Sequence, residues 1–251
     1  MSLPFIAEPA FYFIAVPAVL LMGLSKSGFL SGFGSLATPV LALVVPVPQA
    51  AAIMLPLLLV MDATGLQQLW RERDRVLLWL LVPAGLLGTL LGTVLFGVLS
   101  AKTVAAVVGG LTLLFLAQRL AFAPRADAPA APRWLGRMLA VASGFTSFVA
   151  HAGSPPINAY MLPLRLPAIT YAATMAVFFA TINLSKWLPY AFLGLLDARN
   201  LSTAVLLLPL APVGVWLGVW LARRIDARWV YRIAYSGMFF TGVKLLWDGL
   251  M

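Results

Sequence analysis

Four ionisable side chains interrupt long apolar stretches of this sequence: Lys26, Asp62, His151 and Lys186. An ion near the centre of a membrane helix costs about 2.5 to 3.5 kcal/mol on insertion scales, so each needs a partner or a task. Lys26 closes an apolar run and immediately precedes a glycine cluster, which predicts a point charge facing a cavity; a lysine snorkelling from a helix end is the competing reading. Lys186 lies near the middle of the run 170–196, and Asn183, Lys186 and Tyr190 share one helical face at i, i+3 and i+7. Pro189 could instead end that helix early and bring the lysine to the surface. Asp62, one turn before Gly65, either pairs with Lys26 or Lys186 or carries a coupling proton. His151 reads either as a hydrogen-bonded structural residue or as a contact to substrate or proton. Arg165, in the turn from Pro163 to Pro167, reads as interfacial.

Two clusters of small and hydroxylated residues flank these ions. The first runs from Ser25 through Ser27, Gly28, Ser31, Gly34 and Ser35 to Pro39; the second runs from Ser143 through His151, Gly153 and Ser154 to Pro155, Pro156 and Asn158. Both read as broken helices, whose released backbone groups must be satisfied by protein, water or ligand. Half-helices starting near Ser35 and Ser154, with serine as N-cap and proline soon after, would aim free N–H groups and positive dipole ends at one point. Such a point attracts an anion. The candidate binding set is therefore Lys26, Ser27, Gly28, Ser31, Gly34, Ser35, His151, Gly153, Ser154, Asn158, Asn183 and Lys186, with Asp62 as coupling or ion-pair residue. The bland alternative is that these glycines and serines only let helices pack closely.

The elements that must position these residues follow from composition. The 251 residues are 62% hydrophobic and 10% charged, against about 25% charged in an ordinary globular domain. Mean hydropathy is +0.98. Apolar runs at 9–30, 48–70, 76–97, 102–122, 134–150, 170–196, 201–222 and 228–250 are long enough, or nearly so, to cross a bilayer as helices. The stretches 35–47 and 153–166 are shorter and read as re-entrant or half-helical. The expected fold is an all-α polytopic membrane protein with about 8 to 10 transmembrane segments. The apolar start lacks a basic leader and is expected to be a first helix rather than a cleaved signal. With no cysteine and one histidine, disulfides, thiolate chemistry and a multi-histidine metal site are excluded, and no cofactor is expected. The net charge of +9 does not read as nucleic-acid binding, because the basic residues sit between spans.

The halves repeat. Ser27-Gly28-Phe29 and Ser31 return 116 residues later as Ser143-Gly144-Phe145 and Ser147, and Pro83, Gly88 and Gly92 return 126 residues later as Pro209, Gly214 and Gly218. This divides the chain into a first repeat at 1–123, a linker at 124–133 and a second repeat at 134–251. The basic loops exchange position between the halves: 71–75, 119–137 and 223–232 carry the arginines. The positive-inside rule puts all three in the cytoplasm, which requires two inverted-topology repeats with both termini outside. The charges of Lys26, His151 and Lys186 are not duplicated by the repeat, so the scaffold does not need them.

The runs Gly23-Leu24-Ser25-Lys26-Ser27-Gly28-Phe29, Ile53-Met54-Leu55-Pro56-Leu57-Leu58-Leu59-Val60-Met61-Asp62 and Ser147-Phe148-Val149-Ala150-His151-Ala152-Gly153-Ser154-Pro155-Pro156 resemble the TauE/SafE family of sulfite and organosulfonate exporters. The resemblance implies export of a small sulfur oxyanion from a bacterial inner membrane. Members often carry Lys-Gly-Gly and Gly-Gly-Pro-Pro where this chain has Lys26-Ser27-Gly28 and Gly153-Ser154-Pro155-Pro156, so hydroxyls are added at the expected anion site. The expectation is a secondary transporter, working by alternating access around a midplane site, with a small anion and the lipid bilayer as its partners and a coupling proton or sodium ion left open. A passive anion channel and an intramembrane hydrolase using Ser154 and His151 are the alternatives.

Overall fold

The computed structural model describes residues 5–26, 33–121, 132–222 and 227–251. Those residues form helices and connecting turns, with no strand among them. The long helices are α1 (Pro9–Lys26), α3 (Val47–Leu69), α4 (Arg75–Val98), α5 (Ala101–Ala121), α6 (Arg133–Ala150), α8 (Ala168–Phe192) and α11 (Ala227–Leu250). Short ones are α2 (Ala37–Leu41), α7 (Ser154–Met161), α9 (Ala198–Leu207) and α10 (Leu210–Ala222). Within the described residues each expected apolar run is helical, but the run 201–222 breaks between α9 and α10, which bend by 43°. Among the described residues, three helices are long and apolar enough to cross a membrane, within α1, α3 and α4, or four if α9 and α10 count as one broken span.

Helix starts follow local chemistry. Asp74 caps α4 by accepting from the Leu77 N–H at 3.0 Å, and Asp197 caps α9 by accepting from the Asn200 N–H at 2.7 Å. Pro189 does not end α8. In the last turn its missing N–H leaves only one carbonyl without its usual donor, and the helix continues to Phe192 before Gly194 turns it off at φ 68°.

Close backbone approach sets the helix pairing. A Cβ on Gly144 would run into the Gly85 carbonyl, and one on Gly88 into the Val141 carbonyl, so α4 and α6 pack parallel across glycines. A Cβ on Gly23 would meet Gly214 at 2.7 Å, which seats α1 on α10 in the same way. Helices α5 and α11 run antiparallel: Gly249 faces Ala106 and Lys102, and Gly242 faces Leu113. Helix α3 packs against α8.

These pairings sort the charges along the bundle. Arg71, Arg73 and Arg75 precede or open α4, so the parallel α6 places Arg133 and Arg137 at the same end. The start of α11, which carries Arg228 and Arg232, also lies there, because its other end meets the start of α5: Lys102 donates to the Met251 carbonyl at 3.1 Å. At that opposite end the Ile6 N–H donates to Thr203 at 3.1 Å and Gln49 donates to Asn200 at 3.0 Å. Ile6 and Met251 are therefore both at the end away from Arg71, Arg73 and Arg75.

Candidate functional site

Lys26, at the last residue of α1, forms an ion pair with Asp62 Oδ1 of α3, and its ammonium also lies 5.4 Å from the centre of the Phe179 ring. The Lys26 side chain is 21% exposed and that of Asp62 only 3%, so the carboxylate is the buried member. Asp62 Oδ2 accepts from the Asn183 amide at 2.6 Å. The other end of the same amide, Asn183 Oδ1, accepts from Lys186 at 2.8 Å.

Lys186 is fully buried, because the face that α8 shows to α3 and α6 carries it together with Asn183 and Tyr190, as the i, i+3, i+7 spacing predicts. Its ammonium reaches Ser147 O and Ser147 Oγ, both at 2.7 Å, Asn183 Oδ1, and His151 Nδ1 at 3.0 Å. Three protons thus meet four acceptors, and every one of them is held inside the protein.

An ammonium can only donate, so His151 Nδ1 accepts and the ring hydrogen sits on Nε2, from which it is donated to the Ala51 carbonyl at 2.9 Å. The ring reaches this position because His151 ends α6 in the left-handed region at φ 53°, while the Ala152 N–H returns to the Thr146 carbonyl. Non-glycine residues take that conformation at a cost of about 1 kcal/mol or more. The local strain is offset by bonds the ring could not make in a continuing helix.

The result is one unbroken polar chain: Lys26, Asp62, Asn183, Lys186, His151, Ala51 carbonyl. Asp62 and Ala51 are eleven residues apart on α3, so the chain runs about 16 Å along the helix axis, roughly half a hydrocarbon core of about 30 Å.

Beside it the two broken segments meet. A cavity of about 90 Å³ is lined by Ser35 from the first, Ala152, Pro155 and Pro156 from the second, Val108, Thr112 and Phe115 of α5, and Thr146 and Ala150 of α6. Thr146 and Ala150 lie one helical step from Ser147 and His151, so α6 presents the cavity on one flank and the polar chain on the next. The cavity walls are mainly apolar; the polar side chains that line it are those of Ser35, Thr112 and Thr146. The Thr38 hydroxyl, fully buried next to the first break, has no hydrogen-bond partner among the described residues.

The remaining expected site residues fall as follows. Ser27, Gly28 and Ser31 lie outside the described residues. Gly34 packs on α1, where a Cβ would come 2.8 Å from Met22 sulfur. Gly153 has no room for a side chain against Ser143, Ser147 and Phe179, and its carbonyl accepts from Ser143 at 2.6 Å. Asn158 is not with the polar chain: its Oδ1 accepts from Tyr171, twelve residues before Asn183 on α8. The expected serine N-caps are absent. Helix α7 begins at Ser154 with Gly153 as its uncapped N-cap, and α2 follows a 3₁₀ turn over Phe33–Leu36 with no side-chain cap. Ser154 and Ser35 already lie inside helical turns, so neither hydroxyl is placed as an N-cap acceptor. Arg165 is exposed and left-handed at φ 51°, at the end of the 3₁₀ turn after α7.

Ser147 is the contributor that residue type alone did not single out. It stands four residues before His151 and four after Ser143, a polar stripe on α6 that the helical period would have revealed.

Residues 15–245 match the family described as sulfite exporter TauE/SafE. The chain belongs to the TauE/SafE family. No curated protein and no solved structure matches it. As a TauE/SafE member with several helices fit to cross a bilayer, it is an integral membrane protein of a transport family. Neither ring nitrogen of His151 reaches the Ser154 hydroxyl or a carboxylate among the described residues, so the pair expected of a hydrolase is not assembled.

Proposed function

We propose that this TauE/SafE protein is a secondary transporter of a small sulfur-containing anion, working by alternating access around the polar chain and the adjoining broken segments. One observation carries the reading. Two ammonium groups, Lys26 and Lys186, share a single carboxylate, Asp62, and His151 is hydrogen-bonded as a neutral ring. With both lysines protonated, the cluster holds one positive charge without a counter-ion among the described residues. A buried unpaired charge is costly, and an arriving anion removes that cost.

The pairing of the halves supports alternating access. Exchanging α1 with α6, α3 with α8, α4 with α9 and α10, and α5 with α11 turns the α1–α10 contact into the α6–α4 contact, and maps α3–α8 and α5–α11 onto themselves. The antiparallel run of α5 and α11 is what a two-fold axis in the membrane plane requires, and Gly88 and Gly214, matched by the sequence repeat, each seat on the first helix of the other half. On this reading each half has an odd number of crossings: α1 and α3 both start at the Ile6 and Gln49 end, so the stretch containing α2, like its counterpart containing α7, either returns across the bilayer, giving five crossings per half, or forms a hairpin with the helix before it that does not cross, giving three. The arginine-rich end is cytoplasmic and both chain ends are outside. A charged cargo couples to the membrane potential at about 2.3 kcal/mol per elementary charge per 100 mV.

Uptake of labelled sulfite, sulfoacetate, sulfolactate and sulfate into proteoliposomes tests this. Saturable flux with counter-transport, lost in Lys186→Met, is the expected result. Flux without saturation or counter-transport points to a passive channel, and no flux of any of them refutes the proposal.

A further inference from the structure

Asp62 holds the only carboxylate of the polar chain, and both of its oxygens are engaged: Oδ1 by Lys26 and Oδ2 by Asn183, which relays it to Lys186. The groups around it can be enumerated from every element packed on α3. Helix α1 brings Lys26, α8 brings Lys186 behind Asn183, and α6 brings His151, whose ring is neutral by its hydrogen bonds. Helices α2 and α10 carry no charged residue; Arg199 of α9, Lys102 of α5, Arg133 and Arg137 of α6, and Arg71 and Glu72 of the turn after α3 are exposed, and Arg119 stands in the last turn of α5.

With one positive charge to offer, the cluster balances a monoanion as it stands. A dianion leaves one negative charge uncompensated beside the buried Asp62 and Lys186, where charge imbalance is strongly opposed. One proton on Asp62 restores the balance. The neutral acid keeps a carbonyl oxygen for the Asn183 N–H, and its new O–H becomes a donor where a carboxylate could only accept. Lys26, released from its ion pair, then faces the incoming anion.

We propose that Asp62 is a charge-balancing proton site: a dianion binds together with one proton taken from water onto the Asp62 carboxylate, and a monoanion binds without one. No bond within the cargo is made or broken; the only covalent change is the O–H formed on Asp62. Both loaded states then carry the same net charge, so one carrier can move either class of anion. This rests on the anion-transport reading above.

Calorimetric titration of the purified full chain in detergent separates the two ideas. The probes are methanesulfonate, a monoanion, and sulfoacetate, a dianion with the same sulfonate head, each titrated in two buffers of different ionisation enthalpy. The expected result is uptake of about one proton per sulfoacetate and none per methanesulfonate, with sulfoacetate affinity falling about tenfold per pH unit wherever that one proton is taken up. Sulfoacetate binding without proton uptake overturns the inference and leaves the transport reading standing; failure of both anions to bind overturns both. In Asp62→Asn, sulfoacetate affinity becomes independent of pH, and a retained slope refutes the assignment. Asp62→Glu, which keeps a carboxylate, retains the proton count; its loss there also counts against the proposal.

Discussion

Lys186 binds Ser147 twice, through the backbone carbonyl and the side-chain hydroxyl, each at 2.7 Å. The hydroxyl is thus redundant, since the carbonyl, Asn183 and His151 still supply one acceptor for each ammonium proton. Ser147→Ala is expected to lower stability by about 1 kcal/mol or less, the net worth of one hydrogen bond. Asn183→Leu is a different case, because it leaves Asp62 Oδ2 buried without a donor and costs about 2 to 3 kcal/mol. Thermal unfolding in one detergent ranks the two variants; equal losses contradict this account.

Lys26→Ala removes the cation from a carboxylate that is only 3% exposed. Breaking a buried pair from one side costs about 3 kcal/mol or more. The single variant is therefore expected to lose both stability and anion binding. The double variant Lys26→Met with Asp62→Asn strands no carboxylate and keeps the cluster's net charge unchanged, so it should recover most of the stability without recovering the wild-type anion affinity. Recovery of both shows that Lys26 only neutralises Asp62.

Glycines at the helix contacts divide into two kinds. Gly144→Ala would push a methyl group into the Gly85 carbonyl and separate α4 from α6, at a cost of about 1 to 3 kcal/mol. Gly110→Ala, in α5, meets nothing within 4 Å and should stabilise by about 0.5 to 1 kcal/mol through helix propensity alone. Opposite signs in a melting comparison are the expected outcome.

Topology can be read without background because the chain has no cysteine. Glu72→Cys, exposed at the arginine-rich end, should react with a membrane-impermeant thiol reagent only from the cytoplasm, and Met251→Cys only from outside. Labelling of both from one side contradicts the inverted arrangement.

Much of the site was visible before any fold was known. Lys26, Asp62, His151 and Lys186 stand out because ions in apolar runs are rare and costly, and the Asn183–Lys186–Tyr190 face follows from the helical period alone. Two features misled. Ser35 and Ser154 have the residue type of an N-cap, but capping depends on where the backbone enters the helix, and each is already inside a helical turn. Asn158 is close to His151 in sequence, yet α7 carries it to Tyr171 and away from the lysines.

Sequence alone determined that this chain is a set of apolar helices broken at glycine and proline, because hydrophobicity and backbone freedom act over a few residues. Which oxygen of Asp62 serves which lysine, and that Asn183 stands between Asp62 and Lys186, was decided by the packing of α1, α3, α6 and α8. Those partners come from helices up to 121 residues apart. Their meeting depends on the close glycine contacts between helices and on a single left-handed turn at His151. No local pattern encodes that geometry, since it exists only once the helices are packed.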